Sequence, residues 1–485
     1  MNYKLEKINA KNYEGNVIFL YGDDVADRLL PLSRKELEIV KAKRENKKDF
    51  QVVFDRLPYR LYLLSFDSEQ EAPECQEMLR RGAAKMLERM QADEVDSAAV
   101  TGAGVLPEEM TAFVEGLTLA DYSFDRYRSK DCSHLENLTI DSLFLKPEEL
   151  ETSMRLWNRI FWCREWVNLP VADLNAVDFA DELQSIAADL TDVTCTVMDK
   201  RQIESLRMGG LLAVNRGSVD EPRFVVLEYK PKSATNRQPI ALVGKGIMYD
   251  TGGLNIKPED YMQEMKSDMA GAATMASVLF AAADNALPVH LVALLPMTDN
   301  RPGFNAYASD DILTMYDGTT VEVVNTDAEG RLILADAIAY AVKNYNPSLI
   351  VDAATLTGAA VRAISTFGIA AMQQNAFNPM MLMQLVGKQV YERLVEFPMW
   401  KEYDELIKSE IADLRNCGNT PQAGTITAGK FLAHFAQDVP YIHLDIAGVA
   451  YFTKPQHYYR IGASGYGIRL LYAFLQMQDV VNGNI

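Results

Sequence analysis

Four clusters of charge interrupt apolar runs in the second half of the sequence. GKGIMYDTGG carries Lys245 and Asp250, with Lys257 shortly after it. MKSDMAG carries Asp268, NTDAEGRL carries Asp327, Glu329 and Arg331, and DAATLTG runs from Asp352 to Gly358. Carboxylates held together away from water repel one another and must be neutralised. A pair of divalent cations would do this better than two lysines alone, and carboxylate and water ligands suit zinc, manganese or magnesium. Paired ions, about 3.5–4 Å apart, also activate a bridging water for hydrolysis. The five histidines, His134, His290, His434, His443 and His457, form no HExxH and no paired spacing, so a metal site here would be carboxylate-rich.

Each cluster alone has a plainer reading. In an extended segment, residues two apart share a face, which would send Asp327, Glu329 and Arg331 into one cleft. Two carboxylates beside an arginine are equally well a structural ion pair. Lys245 and Asp250 lie among Gly246, Gly252 and Gly253, and glycines let backbone approach a ligand closely. The spacing matches neither a Walker loop nor GxGxxG, so a phosphate cradle is the weaker reading.

The elements that must position these residues alternate strand and helix. In the first part, 16–21, 60–66 and 98–101 read as strands, 33–47, 72–90 and 108–121 as helices, and 138–145 closes the block. Ser33 with Glu36 three residues on predicts a capped helix start. Such alternation implies an α/β unit with a mostly parallel sheet. A helical stretch from 148 to 166 follows, stopped near Pro170. We place an N-terminal domain at 1–148, a linking helix at 149–168 and a catalytic domain at 169–485. Within the last, strands are expected at 239–243, 289–295, 320–324, 348–353 and 441–445. Helices are expected at 268–283, built of small residues, and at 330–343. Polar groups at the carboxyl ends of apolar strands fit an open α/β sheet, whose ligand crevice lies outside those ends.

Of the 485 residues, 48% are hydrophobic and 24% charged, an ordinary globular balance. The formal net charge of −19 argues against nonspecific nucleic-acid binding, which depends on neutralising phosphates. Cys75, Cys132, Cys163, Cys195 and Cys417 are odd in number and scattered and include no CxxC, which argues against a disulfide framework and a thiolate zinc site and suits a reducing compartment. The first residues lack the apolar stretch of a signal peptide, and no window is apolar enough to span a bilayer. A cytoplasmic protein is expected.

Taken in order, these motifs resemble the cytosol (leucyl) aminopeptidase family of metallopeptidases. Asn325–Leu332 resembles the family's signature octapeptide at all eight positions, and Gly244–Pro258 its first metal loop. MKSDMAGAA, DAATLTGAA, VNLP at Val167–Pro170 and HLDIAGVA at His443–Ala450 are similar to further family segments. The resemblance covers the chain from about Cys163 onward; the N-terminal block is only generically similar.

The resemblance implies a catalytic domain with a central mixed sheet flanked by helices, and a smaller macro-like α/β N-terminal domain. It implies an aminopeptidase that releases N-terminal residues, with apolar preference such as leucine, through a bridging metal-bound water. Asp250, Asp327 and Glu329 would hold one metal, with the Asp327 carbonyl as a further ligand. Lys245, Asp250, Asp268 and Glu329 would hold the other. The ions would be zinc or manganese, with magnesium and cobalt as alternatives. Lysine binds metal only as the neutral amine, and burial with nearby cations lowers its pKa. Lys257 would stabilise the developing oxyanion. Arg331, a permanent planar anion binder, would hold a bicarbonate that shuttles protons. The substrate's free α-amino group would bind near Asp268, which explains exopeptidase action. Met265, Thr355, Leu356 and Gly358 match substrate-pocket positions, although apolar residues such as Met265 and Leu356 also read as core. Family members form hexamers, so a homo-hexamer is expected.

The segment 298–311 keeps NAY but departs from the family on both sides, and Asn305 is expected to orient a metal-site carboxylate. The loop 416–425 is also unusual near its centre. None of the seven metal and catalytic positions departs. Three rival readings share the features: a two-metal phosphoesterase; a non-catalytic scaffold or nucleic-acid-binding regulator that uses the N-terminal domain; and a metal-free degenerate homologue, against which the intact ligand set argues.

Overall fold

The computed structural model describes residues 1–45, 47, 50–129 and 132–477. The chain forms two compact units: 1–157 together with Phe452–Gly462, and Asn158–Tyr451 with the chain from Ala463 onward. The helix Pro147–Asn168 crosses the division. Among the described residues, no helix is long and apolar enough to cross a membrane.

The first unit is built on six strands: β1 (Asn2–Glu6), β2 (Val17–Gly22), β3 (Phe50–Arg56), β4 (Tyr59–Phe66), β5 (Ser97–Ala103) and β6 (Asn137–Asp141). Their order is β1-β6-β5-β2-β4-β3, and every pairing is parallel except the β3–β4 hairpin. All six residues of β2 are buried, as a strand covered on both faces must be. Ser33 caps the helix Arg34–Arg44, with its side chain accepting from the Glu36 amide and the Glu36 carboxylate accepting from the Ser33 amide. The sequence reading of that helix runs through residue 46, which lies outside the described residues.

The second unit carries β7 (Val193–Met198), β8 (Arg223–Tyr229), β9 (Ile240–Gly244), β10 (Gly246–Asp250), β11 (Leu291–Asn300), β12 (Ile312–Thr314), β13 (Thr320–Glu322), β14 (Leu349–Ala354), β15 (Ile369–Gln374), β16 (Leu394–Glu396), β17 (Leu414–Arg415) and β18 (Tyr441–Asp445). Nine of these form a mixed sheet in the order β16-β15-β18-β14-β9-β11-β8-β7, with β10 also paired to β11. Its central strands β18, β14, β9 and β11 are mutually parallel, so their carboxyl ends open on one edge. The strands β12, β13 and β17 make a separate small sheet.

The helix Ala270–Asp284 packs on this sheet and is buried from Ala270 to Ala282. Its small residues allow a very close approach: a Cβ on Gly271 would come within 2.1 Å of the Ala353 carbonyl oxygen. The helices Gly330–Tyr345 and Gly424–Ala436 pack on each other, and Leu332, Ile333, Phe431 and Phe435 join Ile350 and Tyr441 of the sheet in one apolar core.

Candidate metal centre

The parallel strand ends gather the charged motifs. Lys245 lies between β9 and β10, Asp250 closes β10, and Asp268 follows the short 3-10 turn Met265–Ser267. Glu329 is the first residue before the helix Gly330–Tyr345. Lys245 Nζ reaches Asp268 Oδ1 at 2.8 Å and Glu329 Oε1 at 2.9 Å, and donates to the Thr355 carbonyl at 3.0 Å. Gly330 leaves the space for it, since a Cβ there would stand 2.4 Å from Lys245 Cε. Lys257 Nζ reaches Asp250 Oδ2 at 2.8 Å and Asp327 Oδ1 at 2.5 Å. Carboxylate oxygens of Asp250, Asp327 and Glu329 lie within 4.8 Å of one another.

Lys245, Asp250, Asp268 and Glu329 are buried, whereas the Asp327 side chain is 31% exposed and that of Lys257 14%. The centre therefore opens on the Asp327–Lys257 side. Gly252, at φ +84°, turns the chain there beside Asp327, where a side chain would be strained.

Burial and the crowding of like charges set the electrostatics. Burial pushes the Asp268 carboxyl well up, only partly opposed by Lys245. Burial, then Asp250 and Glu329, lift Asp327 to about 6 against the pull of Lys257. Asp250 is raised by burial and by Glu329. Burial works against the Glu329 carboxylate too, but Lys245 and Lys257 outweigh it and hold the group below its ordinary value. Burial pulls the Lys245 ammonium down, but Asp268, Glu329 and Asp250 outweigh burial and hold it above its ordinary value; divalent ions on the same carboxylates would cancel that pull and favour the neutral amine. Lys257 is held up in the same way by Asp250, Glu329 and Asp327.

Four carboxylates thus face two ammonium groups. The buried oxygens Asp268 Oδ2 and Glu329 Oε2 have no hydrogen-bond partner. This excess of unpaired anionic oxygen is what a bound cation requires, so the donor set fits divalent metal.

Two readings change with the structure. NTDAEGRL is not extended: residues 326 and 327 turn, and Glu329 is already in the right-handed helical region. Asp327 and Glu329 still converge, but Arg331 is the second residue of the helix, buried, with its Nε unpartnered and Cys417, Glu329 and Asp445 in its electrostatic surroundings. The asparagine that orients a carboxylate is Asn300, not the exposed Asn305. Asn300 Nδ2 donates to Asp250 Oδ1 at 2.9 Å and to the Thr326 carbonyl at 3.0 Å. Asn300 faces the site because β10 pairs with β11 with Asp250 opposite Asn300, a register that no local pattern encodes.

Among the pocket positions, Thr355 Oγ1 donates to Asp268 Oδ1 at 2.7 Å. Met265, Thr355 and Leu356 are half-buried and Gly358 is exposed. Leu356 also packs on the apolar core, so it is wall and core at once.

A mixed α/β sheet with a carboxylate–lysine centre at its parallel strand ends defines a metal-dependent hydrolase. The sequence model of the cytosol aminopeptidase family, catalytic domain, matches residues 161–472, and the chain belongs to that family. It is a metal-dependent aminopeptidase. A probable cytosol aminopeptidase of Syntrophotalea carbinolica is 40% identical over 414 residues, 82% of each chain. One of Chlorobaculum tepidum is 43% identical over 386 residues, 76% of each chain. Among solved structures, a mutant of tomato leucine aminopeptidase superposes with a TM-score of 0.85 at 25% identity, covering 98% of this chain and 96% of that one. The bottromycin maturation enzyme BotP in complex with Mn gives 0.83 at 27% identity, covering 96% and 99%.

Proposed function

We propose that the enzyme releases N-terminal residues, apolar ones such as leucine foremost, from peptides with a free N-terminus, and that Lys245, Asp250, Asp268, Asp327 and Glu329 hold two divalent ions. The observation that carries this is the convergence of four carboxylates on two lysines, with buried anionic oxygens left unpaired. Two such ions, zinc or manganese, would supply Lewis-acid polarisation of the peptide carbonyl and activation of water at neutral pH.

The chain's own residues do the rest. Lys257, on the open side, donates to the substrate carbonyl oxygen as negative charge develops there. The negative field around Asp268 meets the substrate's α-amino end, which an internal or acylated residue lacks. Met265, Thr355, Leu356 and Gly358 line the pocket for the first side chain, and Arg331 binds bicarbonate. We further propose a cytoplasmic homo-hexamer whose chains comprise an N-terminal domain at 1–148, a linking helix at 149–168 and a catalytic domain at 169–485.

The test is hydrolysis of Leu-p-nitroanilide and its N-acetylated twin by metal-stripped protein, with zinc or manganese restored. Metal-dependent cleavage of the free-amine substrate alone is expected. Turnover of phosphate esters with no cleavage of either anilide would overturn the proposal in favour of a phosphoesterase.

A further inference from the structure

Asp445 is the last residue of β18 and is 1% exposed. It lies in register with Ala354, the last residue of β14, and the next amide, Ile446 N, donates to the Ala354 carbonyl at 2.8 Å. The Asp445 carboxylate therefore stands beside the point where the chain leaves β14 for the pocket loop Thr355–Gly358. Its Oδ1 accepts from the amides of Leu356 at 3.2 Å, Thr357 at 3.4 Å and Ala447 at 3.2 Å. Its Oδ2 accepts from the hydroxyls of Thr357 at 2.7 Å and Thr425 at 3.1 Å. A carboxylate offers about four lone-pair sites, so this one is saturated.

The loop is held at its other end by the metal centre itself, through Lys245 to the Thr355 carbonyl and Thr355 Oγ1 to Asp268. Thr357, in turn, caps the helix Gly358–Ile364 by accepting from the Ala360 amide at 3.0 Å. The wall of the pocket is thus strung between two anchors, one made of proposed metal ligands and one that touches neither metal nor substrate.

We propose that Asp445 is a positioning residue for first-residue selectivity: it fixes the backbone of Leu356 and Thr357 so that the pocket wall keeps its distance from the Asp268–Lys245 anchor. This rests on the aminopeptidase reading of the site. Fixing the wall sets how well side chains of different size fill the pocket. A pocket's preference between side chains differing by a few carbons amounts to about 10–200-fold per methylene, and a loosened wall surrenders part of it. The asparagine variant retains one oxygen for the three amides, and both threonine hydroxyls can rotate to accept from its NH2.

The experiment measures kcat/KM for Leu- and Ala-p-nitroanilide, with metal content, for the wild type, Asp445→Ala, Asp445→Asn and Thr357→Val. In Asp445→Ala the Leu/Ala ratio is expected to change by about tenfold or more with metal content intact, and Asp445→Asn to restore most of the wild-type ratio. Thr357→Val, which removes one hydroxyl anchor with little change of shape, is expected to move the ratio in the same direction by a smaller factor, and it decides the matter if Asp445→Ala does not fold. A parallel fall for both substrates, with the ratio unmoved in the variants that fold, overturns the proposal. A metal-replete wild type that cleaves neither substrate overturns the reading of the site itself.

Discussion

Two of the places where the second unit buries charge are built differently. Glu392 and Arg469 form a completed pair: Glu392 Oε1 accepts from Arg469 Nε at 3.0 Å, and Oε2 accepts from the amides of Gly467 and Leu470, each at 2.9 Å. At the strand ends, four carboxylates share two lysines, and Asp268 Oδ2 and Glu329 Oε2 have no partner. The first arrangement is complete without a ligand. The second is stabilised only when something positive arrives, and that incompleteness separates a functional cluster from a structural one.

Substitutions should separate them. Glu329→Ala is expected to abolish turnover through loss of metal, and to cost metal-stripped protein less stability than Glu392→Ala, since Lys245 keeps Asp268 at 2.8 Å and Lys257 keeps Asp250 at 2.8 Å. Glu392→Ala should do the reverse: it removes the carboxylate that accepts from Arg469 Nε and from the amides of Gly467 and Leu470, and costs about 3–5 kcal/mol in urea unfolding, with no direct effect on the metal ligands. Equal stability losses in the two variants would erase the distinction. Lys257→Ala should retain the metals and lower kcat by about 100–1,000-fold; a near-normal kcat would remove Lys257 from the chemistry.

A third buried group sharpens the comparison through pH. His443 Nδ1 lies 2.8 Å from Asp352 Oδ1, and Tyr441 donates to Asp352 Oδ2 at 2.5 Å. Burial pulls the His443 imidazolium down, but Asp352 outweighs burial and raises it above its ordinary value. Its stabilising contribution is then fully present below an unfolded pKa of about 6.5 and fades as pH rises through the higher folded one. The stability cost of His443→Ala should therefore be larger at about pH 6 than at about pH 9; a cost independent of pH would show that the imidazole titrates alike in the folded and unfolded chain. The smallest effect expected is in the first unit, where Ser33→Ala should cost about 1 kcal/mol by removing the helix cap, measured by thermal unfolding.

How much of this could be read from the sequence varies with the range of the interaction. The Ser33–Glu36 cap, the buried strand β2 and the small-residue helix beneath the sheet follow from local pattern, and they stand where the pattern puts them. The charged motifs announced themselves because Lys and Asp are rare inside apolar strands. What escaped depended on distant parts of the chain. NTDAEGRL reads as an extended stretch because apolar residues flank it, but its second half is the start of a helix. Asn300 acts where Asn305 was expected, because the β10–β11 register chooses it. The return of Phe452–Gly462 to the first unit has no composition signal at all.

The central claim is that the unbalanced carboxylates are metal ligands. Metal stoichiometry by mass spectrometry of purified wild-type, Asp250→Ala and Glu392→Gln proteins tests it most directly. We predict two ions per chain in the wild type and in Glu392→Gln, and a loss of metal in Asp250→Ala that parallels the loss of Leu-p-nitroanilide hydrolysis. An Asp250→Ala protein that still carries two ions per chain and cleaves at the wild-type rate would contradict the account.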